Sequence, residues 1–387
     1  MREAVIVSTA RTPIGRARKG SLADVRPDDL LAFAIGAALD KVPQLDRAEV
    51  VDVIAGCASQ EGKHGGNIGR RAALLAGLPE TVPGTSVNRF CASSLQTIRM
   101  AFHAVGMGEG EAFVACGVES VSQYSGQRDP DSLHPRLTGR GDGKIADAYI
   151  SMGMTAENVA ERYDVGRDEM DRFAQRSQER AVASQRDGFF AREISAYTKA
   201  DGTVVSADDG PRPSSTLEAI KQLEPAFKPD GAVTAGNSCP LNDGAAAVVV
   251  MSAERAEELG IKPKARIVAS AVTGIAPEIM GVGPIEAVKQ VLTRAGMTID
   301  DIELMELNEA FAAQVLPVCE AVGMDPFSER FNPHGGAIAL GHPFGMTGAR
   351  IMTTLLNGLE TDGKAIGLET MCVGGGQGMA MIVERLN

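Results

Sequence analysis

Two stretches of this chain follow one plan, and that repetition constrains the fold more than any other feature. VNRFCASSLQTIRMAFHAVGMGEGEAFVACGVES (87–120) and FNPHGGAIALGHPFGMTGARIMTTLLNGLETDGKAIGLET (331–370) both run strand end, small-residue turn, helix, short loop, strand. Around them, short β-branched runs alternate with longer helical patterns. Ala4 to Ser8, Val50 to Ala55 and Glu111 to Val118 read as strands, and Asp28 to Val42 and Cys91 to Met107 as helices. From Gly244 the rhythm resumes with AAAVVVMS and continues through IELMEL. Such alternation predicts parallel strands joined by helical crossovers, the layered α/β class. If the chain is duplicated, two similar sheets pack together and their interface supplies a site.

The stretch between the two series has a different character. Polar loops (Gly126 to Lys144 and Lys199 to Ser215) surround two helical patterns, Thr155 to Tyr163 and Arg167 to Phe190. This predicts an inserted loop or lid domain at 120–242, an N-terminal α/β half at 1–119 plus 243–263, and a C-terminal half at 264–387.

Composition removes several classes of function. The net charge of −12 argues against electrostatic affinity for nucleic acid or an anionic membrane. With no Trp and 4% aromatic residues, a base-stacking platform is excluded. No apolar run approaches the roughly 18 residues that span a bilayer. The six cysteines are scattered without a C-x-x-C pair, and MREAVIVSTARTP enters a strand within a few residues, so a reducing, cytoplasmic setting is expected. Glycine is in excess, 44 residues where average usage gives roughly 27, which signals close backbone approach. Twelve of them lie between Phe331 and Asn387.

Four positions carry candidate chemistry. Cys91 stands between a strand end and a helix start, where free backbone N–H groups and the helix dipole favour a thiolate; a buried structural cysteine is the alternative. Cys372 precedes Gly374-Gly375-Gly376, whose N–H groups suit an oxyanion hole or, equally, form a hairpin turn. His342, flanked by Gly341 and Pro343, does not suit a helix-face core position. The five histidines include no H-x-x-x-H pair, so no metal is implied. Asn308 closes a strand-like run, where an N-cap is the alternative to a site residue.

In order along the chain, NRFCASSLQ, GNSCPLNDGAAA, NEAFAAQ, GGAIALGHPFG and CVGGGQG resemble the motifs of thiolases, acyl-CoA:acetyl-CoA C-acyltransferases, with the likeness running from VIVSTARTPIG to the C-terminus. The resemblance implies duplicated α/β halves, each a five-stranded mixed sheet, packed in αβαβα layers. MGMTAENVAERY and FNPHGGAIALGHPFG resemble the degradative 3-ketoacyl-CoA branch; the biosynthetic acetoacetyl-CoA branch usually has His where Ser151 stands and Asn where His334 stands. By the same resemblance, Cys91 is the nucleophile that holds the acyl group and His342 takes its proton. Cys372 exchanges a proton with acetyl-CoA, and Asn308 positions a water beside that enolate. The N–H groups of Cys91 and Gly374 form the second hole. For coenzyme A the likeness points to Arg212 beside the adenine, Cys239 where a pantetheine-contacting Ser is common, and Met152 on the acyl channel; Ala219 replaces another usual Ser.

CoA and acyl-CoA are then substrates, with no permanently bound cofactor. A homodimer or homotetramer is implied, as is a β-oxidation multienzyme partner. Three other hypotheses stand beside the degradative thiolase. They are the biosynthetic thiolase, a non-catalytic acyl-CoA carrier, and a redox sensor that uses exposed, low-pKa Cys91 and Cys372.

Overall fold

The computed structural model describes residues 2–124 and 130–386. The first half comprises β1 (Ala4–Arg11), α1 (Pro27–Leu39), β2 (Val50–Gly56), α2 (Ile68–Leu75), β3 (Gly84–Val87), α3 (Ser93–Met107) and β4 (Ala112–Ser120). Helices α4 (Met152–Arg162) and α5 (Arg167–Arg186) follow before β5 (Asn242–Ser252) rejoins it. The second half comprises β6 (Ala265–Gly274), α6 (Pro284–Ala295), β7 (Leu304–Leu307), α7 (Ala312–Val322), α8 (Thr347–Thr361), β8 (Ile366–Val373) and β9 (Gln377–Arg385).

Strand order is β7-β8-β9-β6-β1-β5-β4-β2-β3 in one hydrogen-bonded sheet, with the short strand Gly15–Arg16 paired to β5. The sheet is mixed, as the resemblance implies, and the parallel pairing that the alternation alone suggests is confined to β2–β3, β2–β4 and β7–β8. The reason is the chain's detour after β4. It returns with Asp243 opposite Ser120, at the end where it left, so β5 must run antiparallel. The halves do not form two separate sheets: β1 and β6 join them edge to edge through Val5–Arg266 and Ile6–Ala265. The second half has four strands and, where a fifth was expected, a single bridge from Phe331 to Met305.

Burial on both faces explains the layers. Along β5, Ala246, Val248 and Val250 enter one core, while Ala245, Ala247, Val249 and Met251 enter another. The central core gathers Leu95 and Ile98 of α3, Met352 and Leu355 of α8, and inward residues of strands from both halves. One outer core holds Leu30 and Ile35 of α1 against the first half. The other holds Val288 of α6 and Val315 of α7 against the second half. The result is αβαβα layering with α3 and α8 in the middle.

The repeated plan is visible in three dimensions, since α3 and α8 each have 15 residues and each follows a turn that carries a candidate reactive side chain. Glycine lets these units approach. A Cβ on Gly348 would stand 2.3 Å from the Leu95 nitrogen, and one on Gly117 2.0 Å from the Gly345 oxygen.

Residues 130–241 are tied to both halves. Val159 of α4 and Phe173 of α5 share a core with Val315 of α7. On the other side, fully buried Arg11 bonds Glu193 at 2.7 Å and forks onto Asp208 at 2.8 and 2.9 Å. The expected loop at Lys199 to Ser215 starts beside a short hairpin, Tyr197–Thr198 with Val204–Val205. A second hairpin, Thr138–Gly141 with Lys144–Asp147, occupies the other; the start of that loop, at Gly126, lies outside the described residues. No described helix is long and apolar enough to cross a membrane.

Substituting Gly348→Ala should overpack the α3–α8 contact and lower unfolding free energy by about 1–3 kcal/mol in a denaturant titration. A variant as stable as the parent would contradict this account of the central layer.

Candidate active site

The turn before α3 is held by short-range bonds. The Asn88 side chain accepts from the Phe90 N–H at 2.8 Å and donates to the Ala58 carbonyl at 2.9 Å. The Ser93 hydroxyl accepts from the Arg89 N–H at 3.0 Å and donates to the Phe90 carbonyl at 2.6 Å. Phe90 itself has φ +46°, a left-handed conformation that a bulky residue adopts only when its surroundings impose it. This kink places Cys91 on the wall of a cavity of about 660 Å³, shared with Gly374, Gly375, Met152, Phe344 and Glu61. That volume is in the range of small-molecule sites.

The helix-start position supplies Cys91 with its own N–H and the β8–β9 turn adds that of Gly374, but together they do not lower the thiol's pKa overall. Burial pushes it up to about 11, against the lowering pull of the Gly374 N–H and its own. Gly374 opens the three-glycine turn between antiparallel β8 and β9, so the hairpin and the N–H donor are the same structure. Arg89 locks the two loops together, donating to the Gln377 side chain at 2.8 Å while Gln377 donates to the Gly374 carbonyl at 3.2 Å.

His342 occupies the equivalent turn before α8 and is fully buried. Its backbone N–H is held by the Asn242 side chain at 3.0 Å. The Thr347 hydroxyl donates to the Pro343 carbonyl at 2.9 Å, so its oxygen must accept from Nδ1–H of His342 at 2.7 Å. This fixes the tautomer and leaves Nε2 as an acceptor, facing the Asn308 amide nitrogen at 3.3 Å. Burial, with Arg350 adding to it, pulls the ring down to about 3, so it is neutral near pH 7.

Asn308 is not an N-cap. Its N–H continues the sheet by bonding Thr370, helix α7 starts at Ala312, and the Asn308 Oδ1 is buried without a protein partner among the described residues. Cys372, near the end of β8, is completely buried and donates to Gln314 Oε1 at 2.9 Å. Burial, then Cys91 and Cys239, raise it well above an ordinary thiol. The redox hypothesis began from exposed, low-pKa cysteines, and both thiols are instead buried and raised.

The expected CoA contacts are more dispersed. Met152 lines the cavity at the start of α4. Cys239 is half-buried, bonds the Ala310 carbonyl through its N–H, and lies close enough to raise Cys372. Arg212 is half-buried outside that cavity's lining, with its N–H on the Gln178 side chain at 3.0 Å. Ala219 is exposed in the one-turn helix Leu217–Lys221. His334 stacks on Phe189 with ring centres 3.5 Å apart, away from the thiols.

Sequence reasoning missed the buried acids that hold the walls. Glu119 accepts from the N–H groups of Ala58, Ser59 and Gly345, and burial raises its pKa to about 7. Glu309 accepts from Ser177, Asn332 and the Ile338 N–H, bracing the loop that leads to His342. Their signal was an acid at the end of an apolar strand, in CGVES and in NEAF.

The chain belongs to the thiolases, a family of acyltransferases acting on CoA thioesters. The thiolase N-terminal domain model matches residues 4–254 and the C-terminal domain model residues 261–385. The chain is 46% identical over 407 residues to a beta-ketoadipyl-CoA thiolase of Pseudomonas aeruginosa, with both sequences fully covered. It is 44% identical over 392 residues to a 3-ketoacyl-CoA thiolase of Idiomarina loihiensis, again at full coverage of both. The crystal structure of the Bacillus anthracis acetyl-CoA acetyltransferase superposes with a TM-score of 0.92 at 38% identity, covering 100% of this chain and 99% of that one.

Substituting Thr347→Val should remove the acceptor for Nδ1–H and let the ring take the wrong tautomer, lowering kcat for thiolysis by about tenfold to a hundredfold. Steady-state kinetics on acetoacetyl-CoA would check this, and an unchanged kcat would remove Thr347 from the site.

Proposed function

We propose that this thiolase is of the degradative type, cleaving 3-ketoacyl-CoA with CoA into acetyl-CoA and a shortened acyl-CoA in fatty-acid β-oxidation. The observation that carries the chemistry is the pairing of a cavity-lining thiol, Cys91, under the Gly374 N–H with a second thiol, Cys372, behind it. Nε2 of His342 takes the Cys91 proton as the sulphur attacks the keto carbon. The N–H groups of Cys91 and Gly374 hold the resulting oxyanion. Carbon–carbon cleavage releases the acetyl-CoA carbanion, with Asn308 and His342 beside its oxygen, and Cys372 protonates it. CoA then removes the acyl group from Cys91.

Glu61 favours a neutral chain. This exposed acid is one of the residues lining the cavity, and its negative charge would repel a chain ending in a second carboxylate, such as a ketoadipyl group. Arg212, Cys239 and Met152 are assigned to CoA and the acyl channel, and 120–242 to the lid that shapes that channel. The open edge of β3, at the end of the sheet, supports a homodimer or homotetramer, which a light-scattering mass tests.

Cys91→Ser should lower thiolysis by about 10³-fold or more, and mass spectrometry should find no acyl group on the variant. For the parent enzyme, kcat/KM should be higher for longer neutral 3-ketoacyl-CoA than for acetoacetyl-CoA or ketoadipyl-CoA. The reverse order would favour the biosynthetic type or a dicarboxylate enzyme.

A further inference from the structure

The Cys372 thiol donates to Gln314 Oε1 at 2.9 Å, and neither side chain is exposed. Gln314 lies in the first turn of α7, its N–H bonded to the Phe311 carbonyl at 3.1 Å. The space its side chain fills depends on Gly281, where a Cβ would stand 2.8 Å from Gln314 Cβ. The other end of the amide, Nε2, is buried with no protein partner among the described residues. An unmatched buried amide N–H is costly, so its retention beside a reacting thiol needs a reason.

A glutamine amide offers an acceptor at one end and donors at the other, and its terminal torsion is roughly two-fold. Because no protein bond among the described residues ties Nε2, a half-turn breaks no other hydrogen bond to protein than the contact to sulphur. We propose that Gln314 is the positioning residue for the proton step of Cys372, presenting its carbonyl oxygen to the thiol and, after that half-turn, its N–H to the thiolate. The inference rests on the assignment of Cys372 as the acid–base thiol. In cleavage, a C–H bond forms on the acetyl-CoA carbanion, the S–H bond breaks, and the electron pair stays on sulphur. In the reverse direction the thiolate takes a proton from the acetyl-CoA methyl group. One amide thereby serves both protonation states in a pocket where burial otherwise penalises the thiolate.

The test separates proton transfer from acyl transfer. Exchange of the acetyl-CoA methyl protons in deuterium oxide reads the Cys372 step, and the rate of Cys91 acetylation by acetyl-CoA reads the nucleophile. Gln314→Leu removes both ends of the amide, whereas the nearly isosteric Gln314→Met keeps a weak sulphur acceptor and loses the donor. Both variants should lose about tenfold or more in exchange and keep Cys91 acetylation within about twofold, and exchange should move to higher pH because the thiolate has lost its donor. Exchange at the parent rate in either folded variant, or exchange and acetylation falling together, would overturn the role of Gln314. If Gln314→Leu does not fold, Gln314→Met decides alone. Exchange that survives in Cys372→Ala would instead overturn the assignment of the thiol. Exchange abolished there but intact in both Gln314 variants would overturn the Gln314 proposal alone.

Discussion

Everything in this molecule is arranged around the contact between α3 and α8. Two 15-residue helices meet in the central layer, and Gly348 of α8 lacks the side chain that would push Leu95 of α3 away. Each helix follows a turn that carries a candidate site residue, Cys91 before α3 and His342 before α8. The same layer seats Gly345 against β4, and the carboxylate of Glu119 on that strand gathers three backbone N–H groups from two separate loops. Close packing and site geometry therefore have one cause.

The site keeps its reagents uncharged at rest. The two thiols are raised by burial and the histidine is lowered by it. An ion pair in this interior would bear a large desolvation cost. Neutral groups joined by directional hydrogen bonds avoid that cost. The ring orientation set by Thr347, the Arg89 and Gln377 bridge and the Gln314 amide all act in this way, through orientation rather than added charge.

Much of this was legible in the chain. Strand and helix positions followed from periodicity, and the repeated plan anticipated the equivalence of the Cys91 and His342 turns. Other expectations failed for physical reasons. Parallel pairing was over-extended because local pattern does not say at which end of the sheet a long detour returns. The N-cap alternative for Asn308 failed because sheet pairing to Thr370 holds it in strand geometry. The lowered thiol pKa expected for Cys91 failed because helix-end N–H groups are a local effect that a sequence reveals, whereas desolvation sums over every neighbour.

The sequence by itself determined the layered α/β class, the two equivalent turns and the thiolase family, and it named the candidate site residues, because these depend on residue type and short-range order. Tertiary structure alone decided which nitrogen of His342 is free, which way each pKa moves, and that Gln314 meets Cys372. The His342 and Asn308 pair is separated by 34 residues and the Cys372 and Gln314 pair by 58. No local pattern encodes such meetings, since they exist only once the strands and helices of the second half have packed together.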